Sequence, residues 1–389
     1  GDVVEIAVDP TRFPSIGGQT ADLWVVDAKT AAQWAANPAL VDVTGGPTTH
    51  AFGSTSIQQN VFVAAAGSLP GTGGPGGTSW GRAYDVVIDV DQDGTLSSGD
   101  FIDGGWGPGD GAGFWVVSDP TQAGPLSVTV LNYSGGAFLG QRTFYPSNIA
   151  AMGQLPVVIV SHGNGHHYTW YDHIGNHLAS WGYVVMSHEN NTMPSSDAAS
   201  LTTISNTDYL LANQAVIAGG VLDGHLDGSR LAFIGHSRGG EGVVRAYWRV
   251  ANGVNTPANY TAADVILLSA IAPVTHITSG STPESKPFHL LYGSSDDDVQ
   301  GNPSTGSKPF AFVERATGEK HVTYLQGAGH GYFNTLSSCV CTGPNLLTQA
   351  QVHQVVRGTY LPLLEHHARA NPAALDFLAR MNDDFPPNG

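Results

Sequence analysis

Leu231-Ala-Phe-Ile-Gly-His-Ser-Arg-Gly239 joins a short apolar run to Gly-x-Ser-x-Gly, a spacing that sets Ser237 on a tight turn from a strand into a helix. A serine hydroxyl attacks a carbonyl only when a base takes its proton and a third group orients that base. On a sheet of this kind the acid follows the serine in the chain and the histidine follows the acid. The acid is expected in Phe288-His-Leu-Leu-Tyr-Gly-Ser-Ser-Asp-Asp-Asp-Val299, a strand running into a turn with Asp296, Asp297 and Asp298. The spacing Gly-x-x-Asp-x-x-Val favours Asp296, with Asp297 second. Neighbouring side chains diverge, so the three carboxylates are not expected to share one imidazole. His330, at the tip of the glycine-rich loop after Val322–Leu325, is the expected base, because a loop imidazole can reach the serine and exchange protons near neutral pH.

A tetrahedral oxyanion needs N–H donors, usually the one after the nucleophile and one from an earlier strand-to-helix loop. Here these are the backbone of Arg238 and a residue of Ser161-His-Gly-Asn-Gly165, with Asn164 favoured over Gly163. The side chains of Arg238, Glu241 and Arg245 are expected to form spaced ion pairs along one helix. Cys339 and Cys341 are the whole cysteine content. They can be thiols or a small local disulfide, and either would sit where it braces the histidine loop.

A second constellation lies upstream. Asp89-Val-Asp91-Gln-Asp93-Gly94-Thr95-Leu-Ser97-Ser-Gly-Asp100 places oxygen ligands and a glycine in the EF-hand order. Asp89, Asp91, Asp93, Thr95 and Asp100 are therefore candidate calcium ligands. A strand precedes the loop, so an isolated structural site is expected, and no cofactor is expected for catalysis.

The elements that must hold these residues fall into two patterns. Residues 1–124 carry short β-type runs (Asp22–Val26, Gln59–Val63, Tyr84–Val90, Phe114–Val117) between turn-rich segments, which predicts a β-rich unit of sandwich type. Within it, Gly67–Gly77 reads as an exposed loop. Residues 125–389 alternate strands with helical stretches, near Trp170–Ser180, Ser205–Asp223, Glu241–Val250 and Leu347–Glu365. That alternation predicts a mainly parallel sheet with helices on both faces, an α/β architecture.

Composition narrows the partners. A formal charge of −17 with 15 basic residues leaves no basic surface for nucleic acid or anionic lipid. No run reaches the ~18 apolar residues of a membrane span. A start at Gly1-Asp2-Val3 and few lysines fit an exported protein, secreted or periplasmic.

From Leu155 to His330 the sequence resembles the α/β-hydrolase fold, and within it the cutinase-like polyester hydrolases and related secreted lipases. The likeness rests on His162-Gly163-Asn164, Leu178-Ala-Ser-Trp-Gly-Tyr-Val-Val185, Ser229–Gly240 and Gly327-Ala-Gly-His330, in that order. It implies a secreted serine ester hydrolase working through an acyl-enzyme on a small or polymeric ester. The places where the resemblance implies aromatic walls hold Asn164 and Ala272-Pro-Val-Thr275, so it carries ester hydrolysis further than polyester specificity. An amide- or peptide-cleaving enzyme on the same triad, and a calcium-dependent binding protein on a hydrolase fold, are the alternative expectations.

Overall fold

The computed structural model describes residues 3–67, 69–73, 79–103, 113–277, 279–300 and 307–384. The chain divides into two compact units, Gly1–Ser118 with Ala379–Gly389, and Asp119–Leu378. The segment 119–124 belongs to the second unit because its backbone is tied there. Gly124 N donates to Ser180 Oγ (2.7 Å), Trp181 Nε1 to Gln122 O (3.1 Å) and Arg357 Nε to Thr121 O (2.9 Å).

The first unit is built on strands Thr20–Asp27 and Arg82–Asp89, paired antiparallel with Trp24 opposite Val87. Thr48–Ala51, Phe101–Ile102 and Phe114–Val116 complete a five-strand sheet. Alternate residues on one face (Ala21, Leu23, Val25, Tyr84, Val86, Ile88) are buried with Ile16 and Phe52. The two-strand ribbon Val4–Ala7/Val61–Ala65 packs into the same core through Ala64, Ala65 and Ile6. The opposite face buries Val26 and Val87 with Trp34, which comes from the short helix Ala31–Ala36. A capping box fixes that helix, Thr30 and Gln33 each bonding the other's backbone N–H. The layering is thus one sheet with a ribbon on one side and a helix on the other, not two matched sheets. Within the glycine-rich stretch Gly67–Gly77, Thr72–Gly73 pairs with Ser79–Trp80. Residues 68 and 74–77 of that stretch lie outside the described residues.

The second unit holds eight strands: β1 (Val128–Tyr133), β2 (Gln141–Pro146), β3 (Leu155–Ser161), β4 (Val184–His188), β5 (Leu226–His236), β6 (Val265–Ile271), β7 (Phe288–Gly293) and β8 (Lys320–Leu325). They form one sheet in the order β1-β2-β4-β3-β5-β6-β7-β8. Pairing is parallel from β4 to β8, and β2 runs antiparallel to both its neighbours. Every residue of β3, β4 and β7 is buried, the signature of a sheet covered on both faces. Helices Asp172–Ser180 and Gln349–Arg369 pack together as one layer, and Ser196–Ala212 with Arg238–Ala251 as another.

Two departures from the sequence reading have physical causes. The hairpin β1–β2 is not evident from the sequence: β1 is only half-buried, and β2, though mostly buried, mixes Gln141, Arg142 and Thr143 with its aromatic residues. The helix expected near Ser205–Asp223 runs over Ser196–Ala212 instead, with Ser195 as its cap accepting from Ala198 N (3.1 Å). Its buried Thr202, Thr203 and Thr207 donate to the carbonyls four residues back, so a polar composition satisfies itself inside the helix.

Candidate active site

Ser237 stands between β5 and the Arg238–Ala251 helix at φ 56°, ψ −121°, a backbone conformation that side chains other than glycine rarely adopt. Its flanking glycines have direct steric reasons. A Cβ on Gly235 would lie 2.2 Å from Gly239 O, and one on Gly239 would lie 2.4 Å from His162 O. The strained turn is anchored by Ser237 N, which donates to Ile271 O (2.8 Å), and by Ser237 O, which accepts from Gly240 N (3.0 Å).

His330 follows β8 and is buried. Its Nδ1 donates to Asp296 Oδ2 at 2.7 Å, and the Asp296 side chain is fully buried. Asp296 Oδ1 accepts from Asp298 N (2.9 Å) and Val299 N (2.7 Å), so the turn's own backbone fixes that carboxylate. Asp297 faces elsewhere, accepting from Gln300 Nε2 (2.8 Å) and Thr342 Oγ1 (3.4 Å). Asp298 does reach the imidazole: its Oδ2 lies 3.4 Å from His330 Nε2. As the diverging side chains imply, the three carboxylates do not share one ring: Asp296 and Asp298, two apart on this turn, address opposite nitrogens, and Asp297 takes no part. Ser237 and His330 border the same cavity, of about 250 Å³, together with Asn164, His166, Arg238 and Val274.

Gly163 N donates to Tyr171 Oη (3.4 Å), which leaves Asn164 as the loop's open donor. Neither Asn164 N nor Arg238 N has a hydrogen-bond partner among the described residues, and Arg238 N opens the helix. The Arg238 guanidinium holds the same loop, with Nη1 donating to Thr192 O (2.9 Å), Met193 O (3.0 Å) and Asn164 Oδ1 (3.3 Å). The ion pairs expected among Arg238, Glu241 and Arg245 do not form. Glu241 is buried and accepts from His276 N (3.1 Å) and Ile277 N (2.8 Å), while Arg245 pairs with Asp197 (2.8 Å). Burial raises the Glu241 pKa, opposed by those two backbone donors.

Three further residues support the site. Tyr171 Oη bonds His236 Nδ1 (2.9 Å) and His166 Nδ1 (3.0 Å), and the His236 ring lies 4.7 Å from that of His330. Burial, reinforced by the neighbouring His330, pushes His166 down to about 3 and His236 well below the usual imidazole range. Both rings are therefore neutral; His236 packs against His330, while His166 packs against His236 and borders the cavity. The histidine-rich segment after β3 and Tyr171 are visible in the sequence; that they meet His236 is not.

Cys339 and Cys341 form a disulfide. The intervening Val340 O accepts from both His330 N (3.1 Å) and Asp297 N (3.3 Å), and Cys339 O accepts from Gly331 N (2.9 Å). One short bridged segment thus ties the histidine loop to the acid turn.

In the first unit, Asp89, Asp91 and Asp93 each bring an oxygen within 4.8 Å of the others. Gly94 has φ 74°, as the glycine of such a loop requires, and its N–H donates to Asp89 Oδ2 (2.8 Å). Loss of water, with the charges of Asp93 and Asp100 and a bond to Asp89, raises the Asp91 pKa. Thr95 N donates to Asp93 Oδ1 (2.8 Å). Asp100 stands outside the three-carboxylate group, its oxygens accepting from Val90 N (2.8 Å) and Ser97 N (2.7 Å).

A family model described as PET hydrolase-like matches residues 116–343. The chain belongs to the PET hydrolase-like family. Membership carries the α/β-hydrolase fold, which the eight-strand mixed sheet displays. Among this family member's relatives, the cutinase est2 of Thermobifida alba is 30% identical over 130 residues, covering 32% of this chain and 40% of the relative. Lipase 1 of Moraxella sp. (strain TA144) is 27% identical over 225 residues, covering 55% and 61%. The bis(hydroxyethyl) terephthalate hydrolase of Streptomyces coelicolor is 30% identical over 132 residues, covering 34% and 40%. The chain therefore spans from 40% to 61% of the length of these relatives. Among the described residues, no helix of this family member is long and apolar enough to cross a membrane.

Proposed function

We propose that this protein is an exported serine hydrolase of carboxylic esters, with Ser237, His330 and Asp296 as its triad. The observation that carries the reading is the 2.7 Å bond from His330 Nδ1 to the buried Asp296, in a histidine that borders one cavity with the strained Ser237. With Nδ1–H held by the carboxylate, Nε2 keeps a lone pair for the serine proton. Ser237 Oγ attacks the ester carbonyl carbon as Nε2 takes that proton. The oxyanion is received by the N–H groups of Asn164 and Arg238, and the protonated imidazole gives its proton to the departing alcohol. Water, deprotonated by Nε2, then attacks the acyl-enzyme and releases the acid.

Relatives named as a cutinase, a lipase and a terephthalate ester hydrolase have the ester bond in common, and that bond is the proposed target here. Among the described residues, polar side chains with Val274 and Val299 line the cavity, and no Phe, Tyr or Trp does. That lining fits short acyl groups and polyester chain ends better than a stacked aromatic polymer segment. Hydrolysis of p-nitrophenyl esters of graded chain length, by wild type and Ser237→Ala, tests the reading. A loss of at least ~10³-fold in the variant is expected. Equal rates in the two proteins would overturn it.

The N-terminal loop is proposed as a structural calcium site, held by the carboxylates of Asp89, Asp91 and Asp93 and the carbonyl of Thr95, with Asp100 closing it by releasing one of its two backbone bonds. The ion would neutralise three clustered carboxylates and pin the turn. It takes no part in the acyl transfer.

A further inference from the structure

A second cluster of ligand-type side chains lies at the start of β8, at the other end of that strand from the loop that carries His330. Glu319 precedes the strand and His321 is its second residue. His366 and His367 come from the last turn of the Gln349–Arg369 helix. Glu319 Oε1 lies 2.8 Å from His321 Nε2 and 3.2 Å from His366 Nε2. Glu319, His321 and His367 each offer one ligand atom within 4.8 Å of the other two. The rings of His366 and His367 are 4.4 Å apart, and those of His321 and His367 are 5.5 Å apart. His367 Nε2 is buried without a hydrogen-bond partner.

We propose that Glu319, His321 and His367, joined by His366, form a binding site for a divalent transition metal of the Zn²⁺ type, which clamps the end of the Gln349–Arg369 helix to β8. Imidazole nitrogens with one carboxylate are the donor set that Zn²⁺ prefers, whereas calcium takes oxygen ligands. In a tetrahedral site with bonds of roughly 2.0–2.1 Å, donors stand roughly 3.3 Å apart. The Glu319–His321 pair opens by about half an ångström to meet that, and His367 brings in a nitrogen that has no other partner. Glu319 is well exposed (43%) and gives the ion a route from solvent. Two ligands next to β8 and two on a helix far along the chain make the ion a cross-link that the unfolded chain does not hold.

Equilibrium dialysis and calorimetric titration of Zn²⁺ into the full, untagged chain test this, with Co²⁺ absorption as the spectroscopic readout of nitrogen ligation. One equivalent bound at micromolar Kd or tighter is expected. Binding should weaken at least roughly 100-fold in both His367→Ala and Glu319→Gln. It should survive Asp91→Asn/Asp93→Asn, which removes two carboxylates of the N-terminal loop. Circular dichroism and ester turnover of each variant report folding, because the cluster lies outside the acyl-transfer site. No stoichiometric binding, or binding that persists in folded His367→Ala and Glu319→Gln, would overturn the site.

Discussion

Asp298 Oδ2 lies 3.4 Å from His330 Nε2, the nitrogen opposite the one that Asp296 holds. The two carboxylates differ in solvation. The Asp296 side chain is fully buried and takes two backbone N–H bonds, while that of Asp298 is 60% exposed. Asp296→Ala should therefore reduce kcat for a p-nitrophenyl ester by about 10⁴-fold, since it removes the group that sets the tautomer. Asp298→Ala should stay within about tenfold of wild type. Steady-state kinetics of the pair check it, and equal losses would mean that Asp298 is the working acid.

Arg238 has a separable side-chain role. Arg238→Met keeps the backbone N–H for the oxyanion and deletes the bonds to Thr192 O, Met193 O and Asn164 Oδ1. Losing the tether of the Asn164 loop is expected to lower kcat by about tenfold with little change in KM, a pattern of transition-state loss. A change confined to KM would assign the guanidinium to substrate binding instead.

Reduction of Cys339–Cys341 frees the segment whose Val340 carbonyl receives His330 N and Asp297 N. A hydrogen bond of this kind contributes about 1 kcal/mol, so kcat should fall by roughly fivefold in Cys339→Ser/Cys341→Ser or after mild reduction. Thiol counting alongside activity assays tests the link, and full activity of the reduced protein would refute it.

His188 sets an acid limit on the second unit. Buried between Ser161 Oγ (2.9 Å) and Asn206 Nδ2 (3.0 Å), it is pushed down to about 4 by burial. As pH falls through the ordinary imidazole range the unfolded chain takes up a proton that the folded chain refuses. The stability is complete above about 6.5 and declines toward 4, by up to about 1.4 kcal/mol per pH unit for this group. Urea titrations from pH 7 to 4 should show a shallower decline in His188→Gln. Identical slopes would exclude His188 as a source.

Calcium removal should act on stability alone. Chelation, or Asp91→Asn/Asp93→Asn, is expected to lower the Tm of the first unit by several degrees while ester turnover at room temperature stays unchanged. Differential scanning calorimetry with and without chelator decides it; a Tm indifferent to calcium would remove the ion from the loop.

Much of the site was legible because backbone geometry writes itself into residue type. Gly235 and Gly239 are required by contacts of 2.2 and 2.4 Å, and so mark Ser237 in the sequence as a strained turn. The ends of β7 and β8 announced the acid turn and the histidine loop, since apolar runs must stop where the chain leaves the buried sheet. The tight turn at Gly94, with φ 74°, was legible for the same local reason. What spacing left open, packing decided. The turn's backbone N–H groups hold Asp296, not Asp297, against His330, and Tyr171 takes the Gly163 N–H and leaves that of Asn164 open; the proposed assignments rest on that packing. The pairing of Glu241 with His276 N and Ile277 N, the neutral wall of His166 and His236, and the Glu319–His367 cluster all join residues far apart in the chain. Local pattern carries the conformation of each turn; only the tertiary fold decides which turns meet, because that depends on how the buried faces of distant elements pack.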